Sequence, residues 1–505
     1  MQQVCSFGDL SGRRVGGNEF GSIHRSDIPI EKPLSPHKIQ ERIPREKKVK
    51  RLVLHPIKPK IPKTSSPSNI ECSNKHFAEN QMEDGRLRLF TKYWEKNKYK
   101  NCWIRIRKSV KQPKQTIASS VGTWNDLVPD LLHPQIAQSL SRLGLSRPTE
   151  MQSRMMRYIS SPNHIFLAAE TGSGKTVGYA APIFSQLARN PERGQKAVII
   201  AATGILAKQT AKALRTLAEN TAIEIREGTS EEPWDVLVGT PGLVANMLKK
   251  TNLKGSISYL VLDEADILLD ESFVDVITDI LAVVPVAYSE TNANKPDGAK
   301  VIFCSASCPE ELECLADGIV DRRHLSYVKS PDLHRIVPSV DITLIRIRET
   351  DKMDRLLDLL KKDIGRGELN QTVVFCKNQE TAKFVHKKLD SLNCPSQRWE
   401  RSTSDEDIQK ARVIVATDGT SRGVDLPRLS HVVHYDMSRH LVDFLHRSGR
   451  VGRLSSLFPC RVTAFVRTAE EVRVATKIEL AARLQKPLHS IETDIAGMME
   501  RKRKK

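Results

Sequence analysis

The sequence predicts an α/β protein: two tandem open domains on parallel sheets, preceded by a basic, largely unstructured N-terminal extension. Three observations carry this. From residue 116 onward, short apolar runs of strand length alternate with helical stretches, the pattern of crossover units in a parallel sheet. The series occurs twice, on either side of the polar stretch 327–339. Residues 1–115 hold 26 Lys and Arg against 11 Asp and Glu, and are rich in Pro. At 505 residues the chain is long enough for two or three domains, each burying its own core.

Taken in order, the N-terminus "MQQVCSFGDLSGRRVGGNEF" has no secretory apolar region. Arg13 and Arg14 are accompanied by Asp9 and Glu19, a poor match to the acid-free presequence of an organelle protein. The stretch "HPIKPKIPKTSSPS" has too little apolar content to fold by itself, so residues 1–115 read as an extended arm. Near its end "RLRLFTKYWEKNKYKNCWIRIRK" interleaves cations with Phe90, Tyr93, Trp94, Tyr99 and Trp103. That pattern suits either a stacking surface for single-stranded nucleic acid or an amphipathic helix packed on the core. Residues 116–328 form the first domain, with buried strands expected at 164–169, 196–202, 234–239, 259–266 and 300–307. After a linker over 329–340, residues 341–495 form the second, with strands at 371–376, 412–418, 431–437 and 460–466, and 496–505 is a basic tail.

Charge sits at the ends. The net charge is +19; residues 1–115 supply a surplus of 15 and the last ten a surplus of 4, so the intervening core is neutral. Basic ends of this kind are solvated tails or nucleic-acid contacts, and the core favours the second reading. The nine cysteines have no paired spacing and read as reduced thiols. No apolar run approaches the roughly 18 residues that a membrane span requires.

The chemistry begins with "AAETGSGKTVGY", where Gly172, Gly174, Lys175 and Thr176 follow a strand in the spacing of a phosphate-binding loop, with Ala169 in place of its first Gly. Backbone N–H groups at a helix N-terminus approach phosphate oxygens, Lys175 neutralises them, and the Thr176 hydroxyl suits Mg2+. In "VLDEADILLD" three carboxylates close a buried strand, which is costly unless a cation completes the site. Asp263 can hold the Mg2+ of a bound nucleotide and Glu264 can orient the attacking water. In "HRSGRVGR" of the second domain, Arg450 and Arg453 suit a γ-phosphate reached from across a cleft.

Over about residues 120–470 the chain resembles the DEAD-box ATP-dependent RNA helicases. "RPTEMQ" is similar to their adenine-reading Q motif, with Gln152 for the base edge and Trp124 where the family places an upstream Phe for stacking. "AAETGSGKT" resembles motif I, which implies Ala169, Glu170, Thr171, Gly172, Ser173, Gly174, Lys175 and Thr176 around the phosphates. "DEAD" resembles motif II, and "SAS" motif III, whose Ser305 and Ser307, with His446 of motif VI, would couple nucleotide state to domain closure. Motifs Ia and Ib imply Thr203, Thr240, Pro241 and Gly242 toward RNA. "VVFCKN" resembles motif IV; "ATDGTSRGVDLP", similar to motif V, implies Thr417 and Asp418 toward RNA and Gly423 and Asp425 toward nucleotide. The resemblance implies two RecA-like domains that close on ATP, Mg2+ and single-stranded RNA, bending the strand so that a short duplex cannot stay paired.

The departures concern RNA. Motif Ia reads "ATGILA", with Gly204 and Ile205 in place of the family's Arg-Glu pair; Leu243 stands where an Arg follows "TPG"; and "SQRWERSTSDEDIQKAR" lacks the Gln-x-x-Arg signature. The combination of the "AAETGSGKT" loop, the weakened motif Ia, a short second domain and the long basic extension is similar to the fungal mitochondrial DEAD-box helicases of large ribosomal subunit assembly. It implies a monomer acting on structured rRNA and ribosomal assembly intermediates in the mitochondrial matrix, a nucleolar or cytosolic assembly helicase being the alternative. An ATP-gated RNA clamp with little unwinding is the alternative activity.

Overall fold

The computed structural model describes residues 70–488 apart from 78–81, 84–85, 97–100, 109–121, 128–130, 229–232, 251–255, 271–272, 290–291, 293–294, 338, 366–369, 401–402, 422–425, 427 and 454–458. Two sheets organise them. The first has seven parallel strands in the order Leu325–Lys329, His164–Ala168, Lys300–Ser305, Ile257–Asp263, Lys196–Ala201, Val236–Gly239 and Ile225–Glu227. Helices cover both faces, so the central strands are buried throughout: in His164–Ala168, Ile165 and Leu167 join one apolar cluster and Phe166 and Ala168 the other. The period of two expected of a strand is therefore present although the sequence shows an unbroken apolar run.

The five strands expected in the first domain and the four in the second are all present. The polar stretch taken as linker is shorter than its composition suggested. Leu325–Lys329 pairs in parallel with His164–Ala168 and forms the sheet edge, leaving residues 330–339 to connect the domains.

The second sheet departs more from expectation. Its eight strands run Ile70–Cys72, Trp103–Ile106, Val340–Arg346, Cys460–Val466, Leu429–His434, Gln371–Phe375, Val413–Ala416 and Gln397–Arg398. The first two are antiparallel additions drawn from the segment expected to be an extended arm. They cover the edge that Val340–Arg346 would otherwise expose, and an uncovered strand edge is a template for unwanted pairing. The domain boundary moves accordingly: residues 70–108 belong to the second domain, and the first is inserted between them and residue 340.

The aromatic stretch resolves the same way. Phe90 and Trp94 are 0% exposed and join the second domain's apolar cluster with Ile70, Phe77, Ile104 and Ile106. Their rings meet edge to face at 5.8 Å, a favoured aromatic geometry. These two side chains therefore cannot form the nucleic-acid stacking surface considered above. The amphipathic alternative is right about packing and wrong about form, since the buried element is a single 3-10 turn, Thr91–Glu95, followed by a strand. In Trp103–Ile106, Ile104 and Ile106 are buried on one face, while Trp103, half-buried, packs against the apolar cluster on the other. Tyr99 lies outside the described residues.

A buried carboxylate fastens the segment. Glu479, on the helix Ala469–Leu484, accepts from the Phe90 N–H at 2.9 Å, the Thr91 N–H at 2.8 Å and the Thr91 hydroxyl at 2.6 Å. Arg483 pairs with it at 2.8 Å and donates to the Phe77 carbonyl at 2.6 Å. Both ionic side chains are 0% exposed; buried charges persist where the geometry satisfies them as fully as this.

Candidate functional site

The site is assembled at the carboxyl ends of the strands, where ligands of open α/β sheets bind. Residues 169–174 turn from the strand His164–Ala168 into the helix Lys175–Arg189. The turn needs Gly172 and Gly174 at φ +79° and +82°, a left-handed conformation that costs other residues more. Gly174 caps the helix, so Lys175 and Thr176 occupy its first turn. Lys175 Nζ donates to the carbonyls of Ala169 at 2.7 Å and Glu170 at 2.9 Å, and the Ala169 N–H donates to Ser305 O at 3.1 Å.

The strand Ile257–Asp263 delivers the carboxylates. Asp263 is 6% exposed and accepts from the Tyr179 hydroxyl at 3.1 Å. Burial, with the neighbouring Glu264 charge, pushes its carboxyl up to about 6, and Lys175 opposes the shift. Glu264 caps the short helix Ala265–Leu268 at φ +61°, a strained conformation for a residue with a side chain and one often stored at working sites. Ser173 Oγ and Glu264 Oε2 are buried with no hydrogen-bond partner among the described residues.

The second domain completes the cleft. His446 bonds Asp266 Oδ2 through Nε2 at 2.8 Å, and the Ser307 hydroxyl donates to the same oxygen at 2.7 Å. The Ser307 N–H donates to Ser305 Oγ at 3.2 Å, which ties the two serines into one turn. Arg450, 6% exposed, lies 3.9 Å from Glu264. Arg453 lies over the phosphate loop, where a Cβ on Gly172 would meet its Cγ at 2.8 Å. The Thr171 hydroxyl donates to the Gly449 carbonyl at 2.9 Å, and a Cβ on Gly449 would meet that hydroxyl at 1.7 Å. His446, Gly449 and Arg450 of "HRSGR" thus each meet a neighbour in the first domain.

The base-proximal expectations fare unevenly. Gln152 is 5% exposed; its carbonyl caps its own helix at the Thr149 N–H, and its amide donates to Gly174 O at 3.1 Å. It is thereby held against the phosphate loop. Trp124 is 4% exposed, its indole N–H given to Leu145 O at 2.6 Å, so it packs in the apolar wall with Leu132 and Ile136 and presents no open ring face.

The residues expected to face RNA also lie at strand ends. Thr203 caps the helix Gly204–Ala218, and Thr240, Pro241 and Gly242 open the helix Pro241–Lys250. Thr417 accepts from Gln379 Nε2 at 3.0 Å. Asp418 is committed elsewhere, since Arg447 forks onto both of its oxygens at 2.7 and 2.6 Å; its carboxylate orients motif VI and is not a free contact for RNA. Gly423 and Asp425 lie outside the described residues.

Two contributors escaped the sequence reading. Tyr179, four residues after Lys175 in an apolar helix, reads as core, and only the fold shows its hydroxyl on Asp263. Ile205 packs against the second domain's apolar cluster although its helix belongs to the first.

A phosphate loop and paired carboxylates on one parallel-sheet domain, faced by arginines from a second, define a two-domain ATPase of the helicase type. The match to known families agrees. A DEAD/DEAH box helicase domain matches residues 149–315 and a helicase conserved C-terminal domain matches residues 351–455. The probable ATP-dependent RNA helicase DDX28 of Mus musculus is 30% identical over 420 residues, covering 76% of this chain and 77% of its own. DDX28 of Homo sapiens is 29% identical over 447 residues, covering 81% and 82%. Among solved structures, S. cerevisiae Dbp5 bound to RNA and ADP BeF3 shares the fold at a TM-score of 0.60 and 20% identity, covering 76% of this chain and 99% of that one. Mss116p bound to ssRNA and AMP-PNP does so at 0.63 and 21%, covering 74% and 79%. The chain belongs to the DEAD/DEAH box helicase family and is an ATP-dependent RNA helicase of the DEAD-box type.

Proposed function

We propose that this helicase remodels structured rRNA during assembly of the mitochondrial large ribosomal subunit, acting as a monomer on ribosomal assembly intermediates. The observation that carries the coupling part of this reading is the cross-domain site: Arg450 at Glu264, Arg453 over Gly172, and Asp266 shared by Ser307 and His446. Such a site is complete only when the two domains meet, so nucleotide chemistry and closure on RNA are one event.

The residues fit ATP with Mg2+, because two buried oxygens, Ser173 Oγ and Glu264 Oε2, have no hydrogen-bond partner among the described residues and lie beside a left-handed glycine turn and the cations Arg450 and Arg453. Thr176 and Asp263 would hold the Mg2+, which when bound neutralises charge on the phosphates. Lys175 and the loop 169–174 hold the phosphates, Glu264 orients water, and Arg450 and Arg453 meet the charge that develops at the γ-phosphate. Gln152 reads the base; Ser305, Ser307 and His446 report nucleotide state to the cleft; Thr203, Thr240, Pro241, Gly242 and Thr417 face the RNA backbone.

A second reading, an ATP-gated clamp with little unwinding, is favoured by Gly204 and Ile205. The first provides no cation for phosphate, and the second adds an apolar contact between the domains. The mitochondrial and ribosomal parts rest on the degenerate motif Ia and the basic extension. The deciding experiment is steady-state ATPase activity with and without structured rRNA, beside Glu264→Gln. RNA-stimulated turnover lost in the variant supports the remodelling enzyme; stable ATP-dependent RNA binding by the unaltered chain without turnover supports the clamp.

A further inference from the structure

The connection between the domains changes sides within two residues, His334 and Arg335. Leu333 packs against an apolar cluster of the first domain, whereas Ile336 and Val337 pack against that of the second. Between them His334 adopts φ +63°, a left-handed conformation uncommon for a residue with a β-carbon. Its side chain and backbone are both engaged. Nε2 accepts from the Cys308 N–H at 2.9 Å, one residue beyond Ser307, and the His334 carbonyl accepts from the Leu488 N–H at 2.9 Å. Leu488 is 3% exposed in the second domain's cluster, past the last helix Ala469–Leu484.

Hydrogen bonds joined by short stretches of backbone therefore lead out of the nucleotide cleft. They run from His446 and Asp266 through Ser307 to Cys308, then through the His334 ring to the linker and on to the C-terminal end of the second domain. Acceptance at Nε2 requires that nitrogen to be without a proton, and burial holds the ring neutral by pushing it down to about 4.

We propose that His334 is a positioning residue that latches the linker's crossing point to the segment following Ser307, so that the Asp266–Ser307–His446 arrangement reached on closure also fixes the linker. The geometry supports a specific role because a turn alone would take Gly or Asn at φ +63° without strain. His, like Asn, is enriched in that region over most residues, and what it offers here beyond Gly or Asn is the reach of its distal nitrogen. The inference rests on the RNA-coupled ATPase reading, since the quantity the latch sets is the coupling between nucleotide and RNA.

The test compares His334→Asn with His334→Gln in the full chain. Asn tolerates the left-handed backbone but its amide falls short of the Cys308 N–H; the Gln amide oxygen reaches about as far as Nε2. Affinity for a fluorescein-labelled single-stranded RNA is measured by anisotropy with and without AMP-PNP, together with AMP-PNP affinity in the absence of RNA. In His334→Asn the gain in RNA affinity brought by AMP-PNP should shrink about threefold to tenfold, the span of one net hydrogen bond. His334→Gln should keep the gain within about twofold, and AMP-PNP affinity without RNA should be unchanged in both. Full coupling in His334→Asn, or equal loss in both variants, overturns the latch. His334→Gly, which also relaxes the turn, is the second loss variant should Asn fail to fold. If the unaltered chain shows no AMP-PNP-dependent RNA binding, the RNA-coupled ATPase reading falls and the latch with it.

Discussion

Replacing Glu479 by Ala tests whether residues 70–108 belong to the second domain. The carboxylate satisfies two backbone N–H groups, one hydroxyl and a guanidinium, all fully buried. Alanine removes every acceptor at once and leaves Arg483 charged in the core. Breaking a buried ion pair from one side costs about 3–5 kcal/mol, most of it the desolvation of the orphaned partner. The loss should appear where the fastening acts. Hydrogen exchange of amides in 90–106 should accelerate by roughly 150-fold to 5,000-fold, because their opening free energy falls by that amount. Amides of His164–Ala168, in the other sheet, should keep their rates. Unchanged exchange in 90–106 would refute the docking. Equal acceleration in both sheets would refute its confinement to the second domain.

Two further outcomes follow from single residues. A Cβ on Gly204 meets no heavy atom within 4 Å and the residue has no positive φ, so Gly204→Arg should fold normally, raise RNA affinity, and steepen its dependence on log salt by about one unit; an unchanged slope would show that helix to lie off the RNA path. His164 is buried, accepting from the Val301 N–H at 2.9 Å and bonding Ala287 O at 2.6 Å, which requires the neutral ring. Burial pushes it down to about 4, so the unfolded chain binds a proton that the folded chain refuses. The stability is present above pH 6.5 and is lost as pH falls toward 4, about 2 kcal/mol by pH 5. Urea unfolding at pH 7 and pH 5, compared with His164→Gln, measures this; an equal pH dependence in the two proteins would rule it out.

What the sequence made legible follows from what is local. Strands such as His164–Ala168 and Gln371–Phe375 are buried on both faces and read as apolar runs, and the phosphate loop, Asp263, Glu264 and the "HRSGR" cations sit in contiguous strings. The partners of those strings are distant in sequence. Glu479 bonds Thr91 across 388 residues, and Arg447 takes the carboxylate of Asp418 across 29. Composition also misled: the cations of "NCWIRIRK" mask the alternation that buries Ile104 and Ile106, and the polarity of 327–339 hides the end of an edge strand. No pattern over ten or twenty residues marks Tyr179 or His334, because each is defined by a contact with another element.

The same geometry decides how the basic extension must be tested. Removing residues 1–115 would strip two strands from the second sheet together with Phe90 and Trp94, so any fall in RNA affinity could come from a damaged domain. Residues 1–62 lie outside the described residues and carry 13 Lys and Arg against 6 Asp and Glu, so they are the part to remove. A chain starting at residue 63 retains every described contact. If the extension supplies phosphate contacts that Gly204 and Leu243 no longer make, this truncation should weaken RNA binding and flatten its salt dependence, each lost contact lowering the slope by about one unit. Basal ATPase activity and unfolding should be unaffected. An unchanged affinity and slope would show that the core alone holds RNA, and the charge surplus would then need another polyanion to explain it.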